Sequence, residues 1–244
     1  MKVKCIDLAL AHDGTNNDDK SIDCMHQFAW VIDNALSKEF LAAVNDFRQS
    51  LPLDDKRPTV KRRFFSSAKQ CPDILDELKG ALLSALSLST TQHGGASANV
   101  MLDQYHPQSN HPTNDNDSLE FTIDHQKQLQ VHILSYMRFL EYNNVGGNLD
   151  AHTDGNKICE STGRQSTHTM LLYLSNCEVG GETRLLYKEP TSVTQQTAKY
   201  VTIEAVKPVI GRILLFPHAT LHEGAPTVDV PKICLRAEVA VYVH

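Results

Sequence analysis

The sequence predicts an α+β fold in which N-terminal helices buttress a C-terminal β-barrel or jelly roll. Two observations carry this. From about residue 128 onward, short runs rich in β-branched and aromatic residues follow one another between Gly-rich turns. Before that point the apolar residues recur at helical spacing instead. Short strands with such turns close into sandwiches or barrels, and a barrel wall still needs helices to cover it. No repeat or linker divides the 244 residues, so a single domain is expected, with residues 1–127 as helical support and polar loop and residues 128–244 as the β-barrel.

Phe28, Trp30, Val31 and Ile32 read as a short buried strand. Ser37 is placed to cap a helix that carries Phe40, Leu41, Val44 and Phe47 on one face. Pro72 suits the first turn of a second helix, whose stripe is Ile74, Leu75, Leu78, Leu82, Ala85 and Leu86. From about residue 89 to residue 127 the composition turns to Ser, Thr, Asn, Asp, Gly and His (TTQHGG, HPQSNHPTNDNDS). A long polar loop is expected there, of the kind that forms lids or binding loops. The strands follow: LQVHILSYMRFLEY, STHTMLLYLSN, ETRLLY, AKYVTIEAV, GRILLFP and ICLRAEVAVYV, with NNVGG, EVGG and VKPVIG between them.

Composition excludes several classes. With 41% hydrophobic and 21% charged residues the chain is too apolar to be disordered and too charged for a membrane bundle. The opening MKVKCIDLALAHDG lacks the apolar run of a signal peptide, and no stretch approaches about 18 apolar residues, so a cytoplasmic protein without membrane contact is expected. Six cysteines show neither a CxxC pair nor regular spacing, which reads as reduced thiols rather than a zinc ribbon or a secreted disulfide framework. The net charge of −6 disfavours nucleic acid. Lys56, Arg57, Lys61, Arg62 and Arg63 run against it and read as a solvated face or loop, with a phosphate or partner contact as the alternative.

The chemistry concentrates at Asp150-Ala-His152-Thr-Asp154-Gly155. Alternate residues of a strand share a face, so His152 and Asp154 can point at one ion. His222, just after the GRILLFP run, offers a third donor. Two histidines and a carboxylate on one face of an octahedral metal leave positions open for a bidentate ligand and O₂, as in non-haem Fe(II) oxygenases; a catalytic zinc site is the competing use of the same set. Ten residues past His222 stands Lys232, a cation suited to the far carboxylate of a chelating dicarboxylate.

Six ordered blocks carry a resemblance: YNNVGGNLDAHTDG from Tyr142, TMLLYLSN from Thr169, GGET from Gly180, GRILLF from Gly211, HEGAP from His222, and Lys232. Together, over roughly residues 136–243, they resemble the prolyl-4-hydroxylase-like branch of the 2-oxoglutarate/Fe(II)-dependent dioxygenases. The resemblance implies a double-stranded β-helix, a cupin-like jelly roll. It implies Fe(II) held by His152, Asp154 and His222 and 2-oxoglutarate held by Lys232, with Tyr142, Tyr173 and Thr169 lining the cosubstrate pocket. O₂ is then the second cosubstrate, ascorbate an optional reductant, and succinate and CO₂ the coproducts. A carboxylate at position 154 implies hydroxylation rather than halogenation. An amino-acid-like substrate is implied, peptidyl or free; desaturation or cyclisation of a small metabolite, a non-catalytic metal- or small-acid-binding cupin-like module and a zinc hydrolase stay open, as does the oligomeric state.

Strand parity puts Arg236 on the face of Lys232, Cys234 and Glu238. It therefore competes with Lys232 for the far carboxylate, pairs with Glu238, or holds a substrate anion. Arg138 shares parity with Tyr142 and is a candidate for the pocket. Of the remaining histidines, His218 is expected at the rim, His168 at the surface or behind the site, and His106, His111 and His125 in solvent, while Tyr105 and His106 are candidates for a substrate lid. Glu182 and Thr183 are expected as turn and strand-start residues, with Gly180 and Gly181 supplying the turn. Glu223 is expected to face away from the metal.

Overall fold

In a computed structural model the described residues are 1–8, 27–92, 119–124, 127–159, 162–189 and 199–243. Strands β1 (Lys2–Asp7) and β2 (Phe28–Asp33) precede helix α1 (Lys38–Ser50), and β3 (Val60–Ser66) leads through the short α2 (Ser67–Gln70) into α3 (Pro72–Gln92). Then come β4 (Leu119–Asp124), β5 (Lys127–Ile133), β6 (Tyr136–Tyr142), β7 (Leu149–His152), β8 (His168–Tyr173), β9 (Thr183–Lys188), β10 (Tyr200–Val206), β11 (Ile213–Pro217), β12 (His222–Gly224) and β13 (Ile233–Val243). Ser37 caps α1 as expected, its hydroxyl accepting from Phe40 N–H at 3.0 Å.

The strands form two sheets, the double-stranded β-helix arrangement. The larger runs β1-β2-β11-β8-β13-β5-β4, with β6 and β3 continuing from the other end of β13; the smaller runs β10-β9-β12-β7. β13 organises the larger sheet, because its eleven residues pair with β8 on one side and with β6 and then β5 on the other. Its pairing with β8 runs without a break from Cys234 opposite Tyr173 to Val239 opposite His168. Strand parity therefore holds along it. Leu235, Ala237 and Val239 face Ile74, Leu78, Leu82 and Leu86 of α3 in one core, while Cys234 packs with Leu140, Tyr142, Leu171 and Tyr173 in the other, between the sheets.

The N-terminal part is less helical than expected. β1, β2 and β3 lengthen the larger sheet, and within the region read as polar loop α3 continues to Gln92 and β4 pairs with β5. β3 escapes a sequence reading because both of its faces carry charge. Arg62 faces inward, while Arg63 lies on the outer face, where its Nε donates to Glu141 of β6 at 2.5 Å and its guanidinium also reaches the Leu51 carbonyl. Arg48 of α1 reaches the same carboxylate at 2.6 Å, tying helix to sheet. The basic run is thus a strand in its second half, and neither Arg62 nor Arg63 is fully solvated.

At the EVGG turn both Gly180 and Gly181 have φ of +72°, and a Cβ on Gly180 would lie 2.5 Å from the Pro226 carbonyl oxygen. Tyr105, His106, His111, His125 and Cys24 lie outside the described residues. The other five cysteines are free thiols. No described helix is long and apolar enough to cross a membrane.

Candidate metal and cosubstrate site

β7 and β12 pair so that His152 stands directly opposite His222, their ring centroids 4.3 Å apart. β7 ends at His152, so Asp154 is not held by the strand ladder; its N–H donates to the His218 carbonyl at 2.9 Å. That bond brings the carboxylate to both rings: Oδ1 lies 3.6 Å from His152 Nε2 and Oδ2 lies 3.6 Å from His222 Nε2. One donor atom from each of the three residues falls within 4.8 Å of the others.

The ring nitrogens are already disposed for coordination. Nδ1 of His152 lies 2.8 Å from the Asp150 carbonyl and Nδ1 of His222 lies 2.9 Å from the Thr220 carbonyl. A carbonyl only accepts, so each Nδ1 carries the proton and each neutral ring presents a bare Nε2 to the centre. Burial pushes the His222 ring down to about 4, keeping it neutral. The Asp154 carboxylate beside it raises His152, outweighing burial. Burial works to raise Asp154, but His152, His222 and Thr169 outweigh it and hold the carboxyl below its ordinary range. Two imidazole nitrogens and a carboxylate oxygen are the donor chemistry that a borderline divalent transition metal takes.

Asp154 is braced from behind. The Thr169 hydroxyl donates to Oδ2 at 2.6 Å, and Arg236 reaches Oδ1 at 2.7 Å. His218 is not a rim residue. It is 2% exposed, with Nδ1 2.9 Å from Thr169 Oγ1 and Nε2 2.8 Å from Ser166 Oγ. The reason is its backbone: the carbonyl that receives Asp154 N–H draws residue 218 inward. His168 is buried as well, its Nδ1 2.7 Å from Thr167 Oγ1.

The triad opens into a cavity of about 430 Å³. At one end Thr183 of β9 accepts from Lys232 Nζ at 2.9 Å and from the Tyr173 hydroxyl at 2.8 Å. A hydroxyl has two acceptor lone pairs and one proton. With both lone pairs occupied, the Thr183 proton is left to donate toward the cavity that Thr183 lines. Lys232 sits just behind that wall, 1% exposed, its Nζ 4.9 Å from the Tyr142 ring centroid and 5.7 Å from that of Tyr173. No acidic side chain pairs with it among the described residues, and burial lowers its pKa. Burial pushes both phenols up, so they stay protonated.

Arg236 does share the inner face with Lys232, but its guanidinium is taken, by Asp154 at 2.7 Å and Glu238 at 3.0 Å. Arg138 also reaches the cavity and comes within 3.6 Å of Glu238. From sequence Thr183 is expected only at a strand start, and Arg57 and Arg62 only on a solvated basic face or loop or at a phosphate or partner contact, yet all three line the cavity. Nothing in a linear pattern places β9 beside Lys232 or turns β3 toward the His152, Asp154 and His222 cluster.

Residues 137–244 match the 2OG-Fe(II) oxygenase superfamily. This part of the chain is a 2OG-Fe(II) oxygenase domain. No curated protein matches the chain by sequence. Among solved structures the oxygenase is similar to viral collagen prolyl hydroxylase from Paramecium Bursaria Chlorella virus-1, at 17% identity and a TM-score of 0.45 over 88% of this chain and 96% of the other. It is similar to a Pseudomonas putida prolyl-4-hydroxylase, at 15% identity and 0.47 over 87% and 91%. It is also similar to HygX from Streptomyces hygroscopicus, with nickel, 2-oxoglutarate and hygromycin B bound, at 13% identity and 0.46 over 87% and 82%. Fe(II) and 2-oxoglutarate are the oxygenase's metal and cosubstrate, and the His152, Asp154 and His222 donor set fits the metal.

Proposed function

We propose that the chain, acting as one domain, hydroxylates an unactivated C–H bond of an amino-acid-like substrate, releasing succinate and CO₂. His152, Asp154 and His222 hold Fe(II). Lys232 and Thr183 receive the far carboxylate of 2-oxoglutarate, beside Tyr142 and Tyr173. The observation that carries this reading is the cavity itself, which has three candidate metal donors on one wall and, just behind Thr183 at one end, a buried lysine without an acidic partner among the described residues. Bound there, Fe(II) with 2-oxoglutarate and O₂ supplies the oxidation of the C–H bond, and the protein supplies orientation and a closed pocket.

The roles of the other residues follow from what they touch. Thr169 and Arg236 orient Asp154, and Arg236 does so with Glu238 on its far side, which leaves the cosubstrate to Lys232. Glu223 gives no support to a zinc hydrolase, because its carboxylate is engaged by Arg184 at 3.2 Å. The reading is tested by titrating the protein with Fe(II) and 2-oxoglutarate without oxygen and following the visible spectrum. A weak charge-transfer band should develop with 2-oxoglutarate and be missing from His152→Ala. A spectrum unchanged by 2-oxoglutarate would overturn it.

A further inference from the structure

The inner face of β3 and the loop before it bring cations to the cavity that the metal and 2-oxoglutarate do not use. Arg57, Arg62 and Arg138 all line it. Arg62 stands beside Leu140 in the β3–β6 register, Arg138 lies one inward position along β6, and Arg138 pairs across the ladder with Arg236. Arg62 Nε is buried and has no hydrogen-bond partner. Arg57 makes no ion pair among the described residues, and Arg138 has only a 3.6 Å contact with Glu238, a carboxylate that also serves Arg236 at 3.0 Å.

Like charges have been drawn together here. Burial, then the positive charges of Arg57 and Arg138, lower the pKa of Arg62, with Asp54 opposing. Arg57 also acts electrostatically on His152, so the cluster flanks the metal site. A buried guanidinium nitrogen without an acceptor is costly, and such a nitrogen is ordinarily completed by an acceptor, a water or a ligand. Guanidinium forks match the planar oxygens of carboxylate and phosphate. The carboxylates lining the cavity are otherwise engaged: Asp154 lies between the two histidines and Arg236, Glu223 is with Arg184, and Asp150 is bonded by Asn148 at 3.2 Å. A cavity of about 430 Å³ lies low in the range of roughly 300–1,000 Å³ usual for small-molecule sites, which suits a small second ligand beside the cosubstrate.

We propose that Arg57, Arg62 and Arg138 form a subsite for an anionic head group, carboxylate or phosphate, of the primary substrate, so that the enzyme selects a small acid over an internal residue of a peptide. This rests on the oxygenase reading for the identity of the neighbouring ligand. It gives the arginines a role distinct from that of Lys232.

The test uses the oxygen-free protein loaded with Fe(II) and 2-oxoglutarate, titrated calorimetrically with N-acetylglycine, inorganic phosphate and the neutral N-acetylglycinamide. At least one anion should bind, and the amide should bind at least tenfold more weakly; whichever anion is tighter identifies the head group. Arg62→Gln and Arg138→Gln should each weaken the anion at least tenfold and leave the charge-transfer band with 2-oxoglutarate in place. Arg57→Gln, on an exposed loop, should weaken it without threatening the fold. Binding of neither anion, equal binding of the amide, or unchanged affinity in all three variants overturns the subsite. Loss of 2-oxoglutarate binding in Arg62→Gln overturns it too, since the arginines would then be holding the cosubstrate. If the wild-type band never forms, the oxygenase reading fails, and the same titrations on the unloaded protein decide the subsite on their own.

Discussion

Replacing Thr169 by valine removes one hydroxyl at a position with 0% exposure and keeps the shape of the side chain. The hydroxyl makes two contacts, donating to Asp154 Oδ2 at 2.6 Å and meeting His218 Nδ1 at 2.9 Å. A hydrogen bond to a charged group contributes about 1.5–3 kcal/mol, and an abandoned buried donor costs about 1–3 kcal/mol. In the metal-free protein part of this is recovered, because Asp154 keeps Arg236 at 2.7 Å. What is not recovered is orientation. With one anchor instead of two the carboxylate can turn about its side-chain torsions, and metal binding must then fix it. Loss of such an outer partner typically lowers metal affinity about 10–100-fold, or about 1.4–2.8 kcal/mol at 1.4 kcal/mol per tenfold. An opposing effect exists, since a carboxylate oxygen freed of a donor is the more basic ligand, but it acts on one oxygen only and does not restore the geometry. Anaerobic calorimetry with Mn(II) as a redox-silent probe should show the weakened affinity in Thr169→Val, a lowered Tm without metal, and recovery of both in Thr169→Ser. A Thr169→Val protein that binds Mn(II) within threefold of wild type, or more tightly, refutes the bracing argument.

Lys232→Met should raise the KM for 2-oxoglutarate about 100-fold or more, because one partner of a buried ion pair costs about 3–5 kcal/mol. The same change should leave the Tm of the ligand-free protein unchanged or higher; a fall in Tm with an unaltered KM would place the cosubstrate elsewhere. Gly180→Ala should lower stability by about 1–3 kcal/mol, read from urea denaturation, since φ is +72° and the new methyl would meet the Pro226 carbonyl; unchanged stability would contradict the turn geometry. For Glu141, burial works to raise the pKa, but hydrogen bonds from Arg63 and Arg48 outweigh it and the net shift is downward. A depressed carboxylate contributes stability above its unfolded value near 4.5 and loses it as pH falls through the lower folded value. The Tm advantage of wild type over Glu141→Gln should therefore be full at pH 6 and shrink toward pH 3; a gap independent of pH would remove the ion cluster from the account.

The β-rich half was readable because its inner and outer faces differ. Along ICLRAEVAVYV the alternation of Leu235, Ala237 and Val239 with Cys234, Arg236 and Glu238 records a helix-covered face and a site-facing one, and the unbroken pairing with β8 preserves it. β1 and β3 were not readable for the converse reason. Lys2 and Lys4 protect an edge strand from mispairing, and β3 places Arg62 at the cavity and Arg63 against Glu141, so charged residues interrupt the apolar ones in both strands. His152, Asp154 and His222 could be singled out because two of them stand two residues apart in sequence and the third follows a recognisable strand. His218 and Thr183 could not, since each owes its role to a residue met across space: a backbone bond to Asp154 for one, the ammonium of Lys232 for the other.

The contrast between Lys232 and Arg236 shows how the fold assigns two cations on one face of one strand. Arg236 lies between Asp154 and Glu238, so its charge is neutralised by the protein and its fork is filled before any ligand arrives. Lys232 has a threonine hydroxyl and two aromatic faces, none of which carries a compensating charge. Burying an ammonium in that way costs several kcal/mol after relaxation, and the lowered pKa of Lys232 expresses the same cost. A ligand that brings a carboxylate to Thr183 removes that penalty as it binds, whereas at Arg236 it would have to displace an existing carboxylate. On the proposed reading, the difference in partner, rather than in strand parity, makes Lys232 the receptor for the dianion, while Arg236 is held in the frame around Asp154.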